Sequence, residues 1–415
     1  MRIGIVGLGY VGLPLAVAFA EAGHEVVGVD TDTRLVEGLA RSQSHIEDVS
    51  PERLAAVGDR IQPTTRYADL AKVDAVVVAV PTPLTRNREP DLGPLISAGT
   101  ALAGVLQQGQ LVVLESTTYP GTTRERLVPM LEESGLAAGR DFFVAFSPER
   151  TDPGRTDYAL RNTPKIVGGL TDDCLRRAVE LYELVCEQVL PVTTPEAAEM
   201  TKLLENVFRS VNIALVNELA ILCDRMGIDV WEVVEAAATK PYGFMSFKPG
   251  PGMGGHCLPV DPFYLAWRAR EFDMQTEFIE LAGEVNQRMP YFCVEKIARA
   301  LNDQAKPVKG SRIAIAGVSY KGGVGDLRES PALKIIELLR EQGGEIAYHD
   351  DYVAELPEYG LVSEPLERAL DGADCVVIVT AHPGLDLERI VRDAALVVDF
   401  RGVTRDIEAP NLERL

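Results

Sequence analysis

Cys257 closes a stretch that little side-chain bulk crowds: Lys248-Pro-Gly-Pro-Gly-Met-Gly-Gly255 runs straight into His256-Cys257-Leu-Pro-Val-Asp261. Glycine lets a backbone approach a ligand closely and adopt positive φ. A cysteine presented there can act as a nucleophile once its pKa is lowered or a base removes its proton. A packing role fits the same residue equally well, because free cysteine is among the most buried side chains. Asp261 is the nearest following carboxylate. His256 is passed over as a base, since neighbours on an extended segment point to opposite sides. Lys202 and Asn206 form a second pair, four residues apart in a helical pattern and so on one face. Together they can hold a substrate oxygen and stabilise negative charge on it, although a single helix lysine is more often a solvated surface residue. Thr117 and Glu149 each follow a strand-like run, Leu111-Val-Val-Leu-Glu-Ser116 and Phe142-Phe-Val-Ala-Phe146. Open α/β sheets bind ligands at such strand ends, and caps and turns use the same residue types.

The elements that must position these groups begin with Arg2-Ile-Gly-Ile-Val6, a short buried strand. Gly7-Leu-Gly9-Tyr-Val-Gly12 follows, then an apolar helix, then the strand Val26-Val-Gly-Val-Asp30. The three glycines suit a tight turn, close approach of a pyrophosphate and helix–strand packing. The helix N-terminus offers unpaired N–H groups and partial positive charge to the phosphates. Gly7, Gly9, Tyr10, Val11 and Gly12 are therefore expected cofactor contacts, with Pro81 and Thr82 on the loop after strand Asp74–Val80. Asp30 would accept the adenosine ribose hydroxyls and favours NAD over NADP. Arg34 stands close enough in sequence to compete with that preference.

Pro195 to about Met226 reads as one long helix with Leu203, Leu204, Val207, Phe208, Val211, Leu215, Leu219 and Leu222 along a broad apolar face, suited to a core or a subunit interface. Beyond residue 300 the α/β pattern returns, with Ser311-Arg-Ile-Ala-Ile-Ala-Gly317 as a buried strand but without the three-glycine spacing. Lys321, Arg328 and helix N-termini could hold an anionic nucleotide there. The expected fold is two Rossmann-like doubly wound parallel-sheet domains joined by a central helical domain, divided 1–194, 195–300 and 301–415. The 415 residues carry a net charge of −21 and no basic run, which argues against a nucleic-acid partner. Six scattered cysteines without a C-x-x-C pair fit a reduced compartment and no metal site. No leader and no uninterrupted apolar run of membrane length is read, so a cytoplasmic protein without a membrane partner is expected.

Several motifs occur in one order: Gly7-Leu-Gly-Tyr-Val-Gly12, Pro81-Thr-Pro83, Glu115-Ser-Thr-Thr-Tyr-Pro-Gly-Thr122, Phe146-Ser-Pro-Glu-Arg150, Lys202-Leu-Leu-Glu-Asn206, Gly254-Gly-His-Cys257 and Gly317-Val-Ser-Tyr-Lys321. With them the chain resembles the UDP-glucose/GDP-mannose dehydrogenase family over essentially its whole length. The run from Lys240 to Tyr264 is most similar to the branch acting on UDP-N-acetylhexosamines, UDP-N-acetylglucosamine above all. The resemblance implies four-electron oxidation of a sugar C6 alcohol to a carboxylate with two NAD+, as in polysaccharide precursors. Cys257 would form a thiohemiacetal and then a thioester. Lys202 and Asn206 would stabilise the C6 oxyanion, Asp261 would manage protons near Cys257, and Glu149 with Thr117 would serve the acid–base steps. Glu149, Arg150, Lys202, Asn206, Phe247, Gly250, Gly254, Tyr320 and Lys321 would contact the nucleotide sugar, and Arg328 the cofactor. A homodimer through the long helix is implied as well.

UDP-glucose, UDP-ManNAc, UDP-GalNAc and a dTDP-sugar are alternative substrates for the same chemistry. A two-electron hydroxyacid dehydrogenase or a non-catalytic NAD-binding protein are more distant readings. The chain departs from the family pattern at Gly323, where an acid is usual. Gly322, Gly323 and Gly325 are expected to loosen that loop.

Overall fold

The computed structural model describes residues 1–46, 48–85, 87, 89–151, 158–255 and 260–415. They form two compact units, Met1–Glu205 with Phe263–Gln275, and Asn206–Pro262 with Thr276–Leu415. Cys257 and His256 lie outside the described residues.

The first unit is built on eight strands: β1 (Arg2–Val6), β2 (Glu25–Val29), β3 (Ile61–Thr64), β4 (Ala75–Val78), β5 (Leu111–Leu114), β6 (Phe143–Phe146), β7 (Lys165–Gly169) and β8 (Val189–Val192). Their order is β3-β2-β1-β4-β5-β6-β7-β8. The first six are mutually parallel, in the order of a dinucleotide-binding sheet. Ile3 and Ile5 pack with Leu13 and Phe19 on one side, while Val6, Val76 and Val78 pack with Leu95 and Leu102 on the other. Strands covered on both faces read as continuous apolar runs, which is why they were legible. β7 runs antiparallel to β6, and β8 parallel to β7. A parallel return needs a long crossover, usually a helix, and none is present among the described residues of 147–164.

The second unit carries a parallel sheet of β9 (Arg312–Ala316), β10 (Glu345–His349), β13 (Cys375–Ile378), β14 (Val397–Asp399) and β15 (Leu412–Arg414), ordered β10-β9-β13-β14-β15. A small antiparallel pair, β11 (Glu355–Leu356) and β12 (Leu361–Val362), sits apart from it. Its larger core joins Ile313, Ile315, Val377 and Val398 to helices Val230–Ala238, Glu277–Asp303 and Pro331–Glu341.

Helix Pro195–Met226 has 32 residues, about 48 Å at ~1.5 Å per residue. The division between the units falls inside it, between Glu205 and Asn206. Its apolar residues split into two stripes. Leu203, Val207, Ala214, Ala220 and Cys223 are buried, whereas Leu204, Phe208, Leu215, Leu219, Leu222 and Met226 are exposed. By length and composition this helix also meets the test for a membrane span, with a hydropathy of 1.3 in its most apolar window. The sequence reading looked for an uninterrupted apolar run and passed over a window that tolerates two charges, which the core helix of a soluble protein also provides.

Candidate active site

At the first turn, Gly7 has φ +91° and a Cβ there would lie 2.5 Å from the Ala79 carbonyl oxygen. A Cβ on Gly12 would lie 1.8 Å from the Gly7 oxygen, so the helix Gly12–Glu21 seats directly on the turn. Gly9 has nothing within 4 Å of where its Cβ would be. The turn is thus tight where protein meets protein and open where a pyrophosphate would approach, and the residues fit NAD. Asp30 is fixed at the end of β2 by the Leu8 N–H (2.8 Å) and the Asp32 N–H (3.0 Å). Arg34 pairs with Asp32 at 3.3 Å and its side chain is 89% exposed. Asp32 therefore engages the cation that sequence spacing set against the preference for NAD, and Asp30 stands at the strand end where a ribose diol would be met.

The next loops are tied to one another. Thr82 donates its hydroxyl to the Thr117 carbonyl (2.7 Å), Ser116 to the Val80 carbonyl (2.7 Å), and Tyr264 to the Pro83 carbonyl (3.2 Å). The segment after Thr117 is clamped from the long helix. Buried Glu199 accepts from the Gly121 N–H (2.6 Å), the Thr123 N–H (2.9 Å) and the Thr123 hydroxyl (2.7 Å). Burial pushes its carboxyl up to about 7, against those three donors, which favour the charged form.

Glu149 is the best-supported carboxylate of the set. It accepts from the Arg150 N–H (2.8 Å) and the Thr151 N–H, and lies 3.4 Å from Lys165. Burial works to raise its pKa, but Lys165, Thr151 and then Lys202 outweigh it and hold the carboxyl at about 2. Lys165 is 2% exposed and also bonds Glu115 at 2.9 Å. Tyr182 donates to the same Glu115 oxygen (2.5 Å), and its ring lies under the ammonium at 5.1 Å. Two carboxylates share one cation, and their pKa values separate. Glu149 keeps the charge, while burial raises Glu115 against the pull of Lys165 and Tyr182. Sequence reasoning missed Lys165, Glu115 and Tyr182. The available signal was a charge of each sign inside otherwise apolar strand runs, Leu111-Val-Val-Leu-Glu115 and Lys165-Ile-Val.

Arg150 is forked onto Glu205 (2.7 and 3.3 Å) and donates to the Pro164 carbonyl, which places it as a brace. Lys202 is buried and acts electrostatically on Glu149. One turn further along the helix, the Asn206 amide donates to the carboxylate of buried Asp261. The five described cysteines, Cys174, Cys186, Cys223, Cys293 and Cys375, are all buried. Burial raises the Cys186 thiol to about 11, so it is a poor nucleophile at neutral pH.

In the second unit the glycine-rich loop is pinned to its neighbours. Gly250 N–H donates to Asn217 Oδ1 (2.9 Å), and Asn217 in turn donates to Asn286 (2.9 Å). Phe247 packs edge-on against Phe208, centroids 5.8 Å apart. A Cβ on Gly254 would lie 2.7 Å from Tyr320 Cβ and 2.8 Å from the Glu329 oxygen, and Gly255 N–H donates to the Arg328 carbonyl (2.9 Å). Arg328 itself is forked onto Asp326 (2.6 Å), the Tyr320 N–H donates to the Asp326 carbonyl (3.0 Å), and the Lys321 carbonyl accepts the Ser319 hydroxyl (2.8 Å). The loop that carries three glycines is tied at each of these points.

Three models of one family match successive parts of the chain: the NAD-binding domain of the UDP-glucose/GDP-mannose dehydrogenase family over residues 1–186, its central domain over 196–288 and its UDP-binding domain over 314–406. A UDP-N-acetyl-D-mannosamine dehydrogenase of Pyrococcus horikoshii is 38% identical, with 98% of this chain and 96% of that one aligned. A UDP-N-acetyl-D-glucosamine 6-dehydrogenase of Pseudomonas aeruginosa is 36% identical over 92% of this chain and 90% of its own length. Among solved structures, the UDP-D-ManNAc dehydrogenase of Pyrococcus horikoshii superposes with a TM-score of 0.91 at 36% identity, covering 100% of this chain and 99% of that one. Taken with a turn shaped for NAD and a second α/β unit carrying the UDP-binding match, these likenesses show that the chain belongs to the UDP-glucose/GDP-mannose dehydrogenase family, as an NAD-dependent nucleotide-sugar dehydrogenase.

Proposed function

We propose that the chain oxidises the C6 alcohol of a nucleotide sugar, UDP-N-acetylglucosamine in the first place, to the carboxylate in two successive two-electron steps. The observations that support this reading lie within each unit: Lys202 acts electrostatically on Glu149 in the first, and the Asn206 amide donates to Asp261 in the second. Cys257 stands four residues before Asp261. Bound NAD+ supplies the hydride acceptor. Lys202 and Asn206 stabilise the C6 oxygen as negative charge develops on it. The alcohol proton leaves through a water oriented by Thr117 and Glu149. A carboxyl held at about 2 is a weak base at neutral pH, so Glu149 orients by accepting hydrogen bonds and does not itself carry the proton.

The Cys257 sulfur then bonds to the C6 aldehyde carbon, and the oxygen takes a proton to give a thiohemiacetal. Loss of a second hydride and that proton gives the thioester. Water adds to the thioester carbonyl, the C–S bond breaks, and thiolate leaves the carboxylate product. Thiolate suits both halves as nucleophile and leaving group. Asp261, oriented by Asn206, carries protons for the thiol and the water.

Relatives named for N-acetylmannosamine, N-acetylglucosamine and N-acetylgalactosaminuronic acid nucleotides support the N-acetylhexosamine class. The same reading divides the chain at 194 and 300, places it in the cytoplasm, and makes it a homodimer through the exposed stripe of helix Pro195–Met226. The test is the NADH formed per mole of limiting nucleotide sugar, across a panel led by UDP-N-acetylglucosamine with the ManNAc, GalNAc and glucose nucleotides. Two NADH on one member is the expected result and names the substrate. One NADH would make this a two-electron dehydrogenase and leave Cys257 a packing residue.

A further inference from the structure

The two α/β units repeat one local arrangement. Gly317 (φ +78°) donates to the His349 carbonyl (2.9 Å) as Gly7 donates to that of Val29 (2.8 Å). The Val318 N–H donates to Asp350 (2.7 Å) as the Leu8 N–H donates to Asp30 (2.8 Å). Asp350 therefore holds, in the second unit, the position that Asp30 holds in the first. Its surroundings differ. Asp350 is 4% exposed and also accepts from the backbone N–H groups of Ser319, Tyr352 and Val353. Its remaining partner is the buried imidazole of His382, with Nε2 2.9 Å from the carboxylate.

The other ring nitrogen fixes the tautomer. Nδ1 lies 3.1 Å from the Gly323 backbone nitrogen, which can only donate. Nδ1 therefore accepts, and the proton sits on Nε2, where it is shared between Asp350 and the Ser319 oxygen 3.2 Å away. Ser319 passes its own proton to the Lys321 carbonyl (2.8 Å). The Tyr352 ring stacks on the imidazole at 4.7 Å and 18°. A Cβ on Gly322 would lie 2.3 Å from the Ala381 oxygen, and Gly323 has φ +82°, so the loop meets His382 only because both positions are glycine.

We propose that His382 is a positioning residue: its imidazole latches loop 320–328 through the Gly323 N–H, and so sets the affinity of Tyr320 and Lys321 for the nucleotide part of the substrate. The glycine that departs from the family pattern is the latch point. The affinity half of the proposal rests on the reading that this loop meets the nucleotide.

Two variants separate the two faces of the ring. His382→Asn offers Gly323 an acceptor near the Nδ1 position but cannot reach Asp350. His382→Gln reaches Asp350 and leaves Gly323 without an acceptor. Hydrogen exchange of the peptide spanning 320–328 is measured beside UDP binding by calorimetry, KM for NAD+, kcat, and a thermal melt to establish folding. Loss of one buried hydrogen bond is worth about tenfold. His382→Gln is therefore expected to speed loop exchange and weaken UDP by about that factor, with kcat and KM for NAD+ within about twofold. His382→Asn should stay near wild type. Equal exchange in wild type and a folded His382→Gln overturns the latch, as does identical behaviour of the two variants. Faster exchange with unchanged UDP affinity and sugar KM keeps the latch but overturns the assignment of the loop to the nucleotide.

Discussion

Lys165 concentrates the electrostatics of the first unit in one side chain. It is enclosed, meets two carboxylates and rests on an aromatic ring. Replacing it by methionine removes the cation between Glu115 and Glu149 and leaves only Lys202 acting on Glu149, and breaking a buried pair from one side costs roughly 3–5 kcal/mol. Urea denaturation should show a loss of that size for Lys165→Met. Adding Glu115→Gln should recover part of it, because the second change removes an uncompensated charge; no recovery would place the loss in packing alone. Glu149 makes a separate prediction. Its folded pKa of about 2 lies below the ordinary 4.5, so its contribution to stability is complete above pH 4.5 and disappears as pH falls toward 2. Glu149→Gln should flatten the acid end of the stability curve. It should also lower kcat by roughly 10- to 100-fold without moving the activity profile between pH 5 and 9. A shift of that profile would return the proton-carrying role to Glu149.

At the scale of elements, the clamp from helix Pro195–Met226 to the loop after β5 gives the opposite pH sign. Glu199 titrates near 7 in the fold against 4.5 ordinarily. The folded state therefore holds a proton that the unfolded chain has released, and stability falls as pH rises from 4.5 to 7. In Glu199→Gln this part of the slope should vanish from unfolding measured at several pH values, while the variant is less stable overall. The amide offers one acceptor, and its NH2 opposes the Gly121 or Thr123 donors. An unchanged slope would show that Glu199 is not the titrating group. The elements themselves were legible to different degrees. β1, β2, β4, β5 and β6 announce themselves as apolar runs ending in glycine, acid, serine or proline, whereas β3, Ile61-Gln-Pro-Thr64, does not. The reversal at β7 could not be read, because Lys165-Ile-Val-Gly-Gly is an equally good strand in either direction. Lys202 was legible as one half of a pair with Asn206 on a helix face, but its burial was not. Periodicity gives the face a residue occupies and does not reveal which neighbour covers that face. His382 was invisible for a related reason, since its partners Gly323 and Asp350 are 59 and 32 residues away.

For the whole molecule, the exposed half of the long helix's apolar residues is the largest feature left to explain. Leu204 is 62% and Leu215 54% exposed, with Phe208, Leu219, Leu222 and Met226 on the same stripe. Contiguous apolar surface of this kind marks contact with a partner or a membrane, and in the proposed dimer a two-fold axis would bury the stripe against its own copy. Leu215→Asp should convert a dimer into a monomer by light scattering coupled to size exclusion; a wild-type monomer, or a mutant of unchanged mass, would dismiss the interface. The same helix governs how the chain can be dissected. Sequence places a border at residue 194, just before the helix begins, and the cofactor-binding half looks separable there. The compact unit, however, runs to Glu205 and also takes in Phe263–Gln275. A fragment ending at 194 forfeits Glu199, Lys202 and the partner of Arg150, and Tyr264 with them. The NAD-binding match covers residues 1–186 in one stretch, yet the compact unit draws on two, so recombination or domain swapping at the apparent border would transplant a sheet without the residues that organise its ligand edge.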